Sequence, residues 1–137
     1  MSTSAKAAGD PAVRLGFTAG QVVQEFGYDS DVTDDFRFSI EDLTTSELED
    51  EDFGEVADAV LLWWRDGDGD LTDALVDALT QLADGGFIVL MTPKAGHPEQ
   101  VDPSEIEEAA LTAGLQTSSS VKCCEDWTGT RLIAARR

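Results

Sequence analysis

Three aspartates alternate in "WWRDGDGDLTDAL", residues 63–75, and oxygen ligands at that spacing open calcium-binding loops. Asp66, Asp68 and Asp70 match the first, third and fifth positions of an EF-hand. The sixth position, where a sharp turn requires glycine, is Leu71, and the twelfth, where a bidentate glutamate is usual, is Asp77. The run before the aspartates, Val60–Trp64, is apolar and short enough for a buried strand, whereas an EF-hand needs a helix there. The stretch therefore predicts a tight loop leaving a strand, with Asp70 capping the next helix and Asp73 in its first turn, where the macrodipole favours negative charge. No metal ion is expected.

Anion chemistry is the second candidate. Arg65, Lys94 and Arg131, with Trp127 as a stacking surface and Asp29 beside them, are predicted to fall at the carboxyl edge of a parallel sheet. Open α/β sheets place their ligands at that edge, and guanidinium groups with an aromatic ring can hold a small anion or a flat ring. The alternative is pairing of these cations with the abundant carboxylates. The two cysteines, Cys123 and Cys124, are neighbours; two strand residues in sequence face apart, so each reads as a small buried hydrophobe. His97, in "PKAGHPEQ", has no positioned nucleophile to activate and reads as an exposed loop residue. The chain carries no G-x-G-x-x-G after the first strand, no G-x-x-x-x-G-K-[ST] and no G-x-S-x-G. No catalytic residue and no cofactor are assigned, and the balance leans away from an enzyme.

Composition bounds the partners. The 137 residues suit one domain, and 42% hydrophobic residues are enough for a core. Twenty-eight acidic against nine basic residues give a formal charge of -19, which repels nucleic acid and anionic membranes alike. The charge is uneven, because residues 25–58 hold fourteen carboxylates and a single cation, Arg37. No apolar run approaches the roughly 20 residues of a membrane span, and the N-terminal "MSTSAKAAGDPAVR" has no apolar leader segment. A cytoplasmic protein is expected.

The elements that must position these residues follow from periodicity. Residues 1–13 read as a disordered tail and 14–137 as the domain. "GQVVQEFG" favours a strand, although its Gln and Glu residues also suit a helix. Val32, Phe36, Ile40 and Leu43 lie three and four apart, as on one helix face. "SELEDEDFGEV" is too polar to bury and reads as a connector. Val60–Trp64, the stripe Leu71, Leu75, Leu79 and Leu82 closed by Gly85 and Gly86, and Phe87–Met91 form a βαβ unit with an expected right-handed crossover. Trp63 and Trp64 should point to opposite faces. "DPSEIEEAALTAG" is a helix capped by Asp102 with Pro103 at its first position. "LQTSSSVKCCEDW" and "TRLIAARR" read as a hairpin turning at "TG". The fold predicted is a single compact α/β Rossmann-like three-layer sandwich, its sheet mostly parallel with an antiparallel C-terminal hairpin strand.

"DAVLLWWRDGDGDLTDAL", "GGFIVLMTPKAG" and "DWTGTRL" together resemble an uncharacterised actinobacterial domain-of-unknown-function family over about residues 14–134. The order of elements also resembles the C-terminal half of class I S-adenosylmethionine-dependent methyltransferases. Those enzymes cradle the cofactor in a glycine-rich loop after the first strand, where this chain reads "EFGYDSD" with one glycine, and the stretch to Val60 is shorter than two βα units. The resemblance implies a reduced Rossmann-like fold rather than methyl transfer. The expected role is that of an acidic, non-catalytic regulatory or adaptor protein acting through protein contacts. The alternative is a sensor of a small anionic ligand, or a vestigial methyltransferase-like protein, using the strand-end cleft. A homodimer is compatible with the sequence, which marks no interface for one.

Overall fold

A computed structural model describes residues 10–135. The elements are α1 (Pro11–Arg14), β1 (Val23–Phe26), α2 (Asp34–Thr44), β2 (Ala57–Trp63), α3 (Leu71–Thr80), β3 (Leu82–Pro93), α4 (Pro103–Thr112), β4 (Leu115–Lys122) and β5 (Trp127–Ala134). The five strands form one mixed sheet in the order β1-β2-β3-β5-β4. β1, β2 and β3 are parallel, and β5 pairs antiparallel with both β3 and β4. Four strands therefore run one way and β5 alone runs back, as the hairpin reading requires.

Alternation along β2 and β3 divides the core between the two faces of the sheet. Ala59, Leu61, Trp63, Phe87, Val89 and Met91 pack against Ala12 of α1 and Phe36 and Ile40 of α2. Val60, Leu62, Ile88 and Leu90 pack against Leu71, Leu75 and Ala78 of α3 and Ile106, Ala109 and Ala110 of α4. Trp63 and Trp64 accordingly serve opposite faces. Asp70 and Asp102 cap their helices through side-chain bonds to the amides of Asp73 and Ser104, and Pro103 occupies the first turn of α4.

Three sequence expectations are corrected. Of the tail expected over residues 1–13, residues 1–9 lie outside the described residues, and the rest is structured: Asp10 caps α1 and Ala12 is fully buried. The leucine stripe of α3 stops at Thr80; Leu82 pairs with Ala57 at the start of β3, and Gly85 and Gly86 sit where the register shifts. A side chain at Gly86 would meet the Asp58 carbonyl at 2.8 Å. Finally, Thr128 and Gly129 are strand residues of β5, and the hairpin turns through Cys123–Asp126. Gly129 lets Leu15 and Met91 close over the strand, since a Cβ there would lie 2.9 Å from Leu15 Cδ1.

The helices disclose a topological feature. Strands β1, β2 and β3 are adjacent in sequence order, so right-handed crossovers alone would place α2 and α3 on the same face. They pack on opposite faces. The chain resolves this at Glu49, in the segment read as a connector. Glu49 pairs parallel with Gln24 along the free edge of β1, where the Glu25 amide donates to the Glu49 carbonyl and the Glu49 amide to the Val23 carbonyl, both at 2.8 Å. The chain thus leaves β1 outward through α2 and a one-residue rudiment of a strand. It then returns past the Gln24 side chain, whose amide donates to the carbonyls of Asp50 and Phe53. The connections diverge to either side between β1 and β2, which makes that gap a topological switch point.

A buried carboxylate ties α2 to this point. Glu25, 6% exposed, accepts from Arg37 Nε at 2.7 Å, Arg37 Nη2 at 2.8 Å and Trp63 Nε1 at 2.8 Å. Removing the carboxylate strands an indole N–H and a half-buried guanidinium together. Glu25→Ala should lose about 3 kcal/mol of unfolding free energy in urea melts, and Arg37→Ala a comparable amount, with strong coupling in the double mutant.

Candidate functional site

The crevice between the carboxyl ends of β1 and β2 is where an open α/β sheet would receive a ligand. Here it is filled by the chain itself. Gly27 ends β1 with a φ of +78° and lies so close to β2 that a Cβ would stand 2.2 Å from the Trp63 carbonyl. Arg65, just past β2 and 7% exposed, reaches across the gap. Its Nη1 donates to the Gly27 carbonyl at 2.8 Å, and its Nε and Nη2 form a bidentate pair with Asp31. Asp68 adds a second carboxylate at 3.6 Å and also accepts the Arg65 amide. The Trp127 ring lies under the guanidinium at 5.2 Å, and its Nε1 donates to the Asp31 carbonyl. On the other side, the Gly27 amide donates to Glu51 Oε2 at 3.0 Å. Both backbone groups of Gly27 that face the crevice are satisfied internally.

The predicted site residues separate. Arg65 and Trp127 are together, with Trp127 buried at the start of β5 rather than at the tip of a turn. Asp29 is exposed in the same β1–α2 loop, where its Oδ1 accepts the Ser30 amide. Lys94 lies at this edge, its Nζ 3.7 Å from Asp126 and half-exposed. Arg131 does not join them. It is in mid-strand opposite Val89, four residues or about 13 Å along β5 from Trp127. Its guanidinium covers the Phe87 ring at 4.5 Å and donates to Ser118 Oγ. The cleft holding Arg65, Lys94 and Arg131 in common is not formed, because the misplaced hairpin turn had put Arg131 at the wrong end of β5. Sequence reasoning missed Asp31, Glu51 and Gly27. Gly27 was legible as a break, whereas nothing local marks Asp31 as the partner of a residue 34 positions away.

Comparison with known proteins agrees with this architecture. A family model described as "Protein of unknown function (DUF3052)" matches residues 12–136. The chain belongs to the DUF3052 family. An uncharacterised protein of Mycobacterium tuberculosis is 52% identical over 122 residues, covering 89% of this chain and 77% of the relative. Among solved structures, the CcbJ methyltransferase from Streptomyces caelestis superposes with a TM-score of 0.62 at 13% identity, over 95% of this chain and 92% of that one. Fibrillarin from Aeropyrum pernix, in complex with natively bound S-adenosyl-L-methionine, gives a TM-score of 0.51 at 15% identity, over 95% and 74%. At these identities the likeness establishes a Rossmann-like, methyltransferase-like fold for the DUF3052 chain.

The remaining chemistry-bearing residues of this DUF3052 chain have local structural roles. Asp68 serves Arg65 and Asp70 caps α3, and among the described residues no group of three His, Cys, Asp or Glu side chains converges as a metal would require. His97 is partly exposed and its Nδ1 accepts the Glu99 amide at 3.0 Å. The cysteines do not face apart: they lie in the hairpin turn with sulfurs 2.7 Å from one another. Among the described residues no helix is long and apolar enough to cross a membrane.

Charge sets the pH response of the crevice. The hydrogen bonds from Arg65, helped by its positive charge, hold Asp31 below the ordinary aspartate range, and Asp31 in turn raises Arg65. A carboxylate with a depressed folded-state pKa takes up fewer protons than the unfolded chain, so its stabilisation is full at neutral pH and is lost as pH falls through and below the unfolded value. The gap in urea midpoint between the parent and Asp31→Asn should therefore be widest near neutrality and shrink as pH is lowered from about 6 to about 3. A gap that is independent of pH would show that the Arg65 pair contributes nothing to stability.

Proposed function

We propose that this protein is a non-catalytic regulatory or adaptor module that acts through protein contacts, presenting the acidic face of residues 29–58 to a basic partner. The observation that carries the reading is the filled crevice: Arg65 and Glu51 take the places at Gly27 that a ligand's donor and acceptor groups, respectively, would take. Arg65 is also paired with Asp31, and Lys94 lies against Asp126. The acidic face, by contrast, holds exposed carboxylates at Glu47, Asp50, Glu51, Asp52 and Glu55 along the free edge of β1. Such a field accelerates encounter with a basic surface and disfavours acidic competitors.

A second reading has its own support. A cavity of about 400 Å³ lies beyond β1, lined by Glu25, Tyr28, Arg37 and Asp50–Asp52, and Tyr28 stacks on Arg37 at 4.6 Å. Dinucleotide-binding folds place a ribose-binding carboxylate some 20 residues after the first glycine, close to the spacing of Gly27 and Glu51. S-adenosylmethionine, bound by the fibrillarin relative in fold, is the corresponding ligand for a sensor or vestigial methyltransferase-like protein.

One pair of measurements separates the readings. Thermal-shift titration with S-adenosylmethionine, nucleotides and small anionic metabolites at millimolar concentration should give no saturable rise. Cross-linking and mass spectrometry in a source-cell lysate should join Glu47–Glu55 to lysines of one partner, and Glu47→Lys/Asp52→Lys/Glu55→Lys should remove those links without changing the circular dichroism. A saturable rise that is lost in Arg37→Ala or Lys94→Ala would replace the adaptor by the sensor.

A further inference from the structure

The hairpin turn carries chemistry that neither reading uses. Cys123 and Cys124 are both free and joined by a trans peptide, yet their sulfurs approach to 2.7 Å. Two side chains in sequence on a strand cannot meet, because alternation sends them to opposite faces. They meet here because the ladder is interrupted: the amides of Cys123 and Cys124 both donate to the single carbonyl of Trp127, at 3.2 and 3.4 Å. The turn thus rotates the second sulfur onto the first. Cys123 is buried and packs in the core face, whereas Cys124 is half-buried at its rim.

The surroundings differentiate the two thiols. Thr33, the residue preceding α2, makes no side-chain capping hydrogen bond. The contact with the Cys123 sulfur holds Cys124 below the usual thiol range against the opposing effect of burial. The same Cys124 contact and burial hold Cys123 above it. A half-buried thiol whose ionisation is favoured, with a second thiol in contact, is the arrangement of an oxidant-sensitive cysteine and its resolving partner.

We infer that Cys123 and Cys124 form a modification site, in which a hydroperoxide converts the adjacent thiols reversibly into a vicinal disulfide. The Cys124 thiolate attacks the outer oxygen of the hydroperoxide; the O–O bond breaks, an alcohol or water leaves after protonation, and Cys124 becomes a sulfenic acid. The Cys123 sulfur then attacks the Cys124 sulfur; the S–O bond breaks, and water departs with the Cys123 proton. Two thiols and one hydroperoxide yield one disulfide, one alcohol or water, and one water. Adjacent Cα atoms stand about 3.8 Å apart across a trans peptide, closer than the usual disulfide span, so the product is strained and readily reduced. Reversal by a small dithiol follows.

The test uses the full chain and hydrogen peroxide, read by intact mass and by counting thiols with a maleimide under denaturing conditions. The expected result is loss of both maleimide-reactive thiols, a monomer lighter by two hydrogens, and full recovery with dithiothreitol. In Cys123→Ser the remaining thiol should form a sulfenic acid trapped by dimedone, and in Cys124→Ser oxidation should slow by about tenfold or more. The inference is overturned if both thiols stay reactive, if oxygen adds to each without loss of the two hydrogens, or if disulfides form only between copies. The parent protein alone decides among these outcomes, so the result does not depend on either variant folding.

Discussion

A guanidinium removed from water must find acceptors within reach, and that requirement organises the carboxyl edge of this sheet. Arg65 meets it with a backbone carbonyl from β1, the carboxylate of Asp31 from the following loop, and Asp68 from its own loop. Each acceptor belongs to a different segment, so the one side chain fixes the spacing of β1 and β2, the path of the β1–α2 loop and the tight turn before α3. Trp127 closes the arrangement from β5 by donating to the Asp31 carbonyl while its ring supports the cation. Deleting the guanidinium would leave several segments without a common point of attachment rather than merely removing one ion pair.

The same logic operates one layer deeper, where Glu25 joins Arg37 of α2 to the indole of Trp63 in β2. Trp63 stands edge-on to both Phe36 and Trp127, so the two polar clusters are connected through one aromatic side chain. Fully satisfied networks of this kind favour a single packing because any rearrangement exposes a buried donor or acceptor. In open α/β folds that bind a cofactor at the switch point, the crevice must be open to a ligand. In this chain the Arg65 guanidinium occupies it, bonded to Gly27 and Asp31.

Local pattern made much of the fold legible. The apolar runs of β2 and β3, the 3.6-residue spacing of α2 and α3, and the Asp102–Pro103 start of α4 each follow from which face an element buries and how its end is capped. The errors arose where two signals competed. Leu82 continues the helical stripe of α3 but is claimed by pairing with Ala57, and Thr128–Gly129 has the composition of a turn but packs as a strand because Gly129 admits Leu15 and Met91. The site was less legible than the fold for a different reason. Arg65 and Trp127 could be selected by residue type, but their partners lie far away in the chain, and the register error in β5 carried Arg131 to the wrong end. Glu49 gave no sign of its strand pairing, since one residue has no period.

The rudiment at Glu49 also bears on how the molecule behaves in a crowd of its own copies. An uncovered edge strand offers a row of unpaired amides and carbonyls to any neighbour with an extended segment. On β1 the central positions of that row are taken by Glu49, and the segment that supplies it is dense in carboxylates. A second molecule approaching along this edge would have to bring an equally negative segment against it, which mutual repulsion opposes. The charge that would invite a basic partner is thus also a guard against fibrous self-assembly at the exposed flank of the sheet.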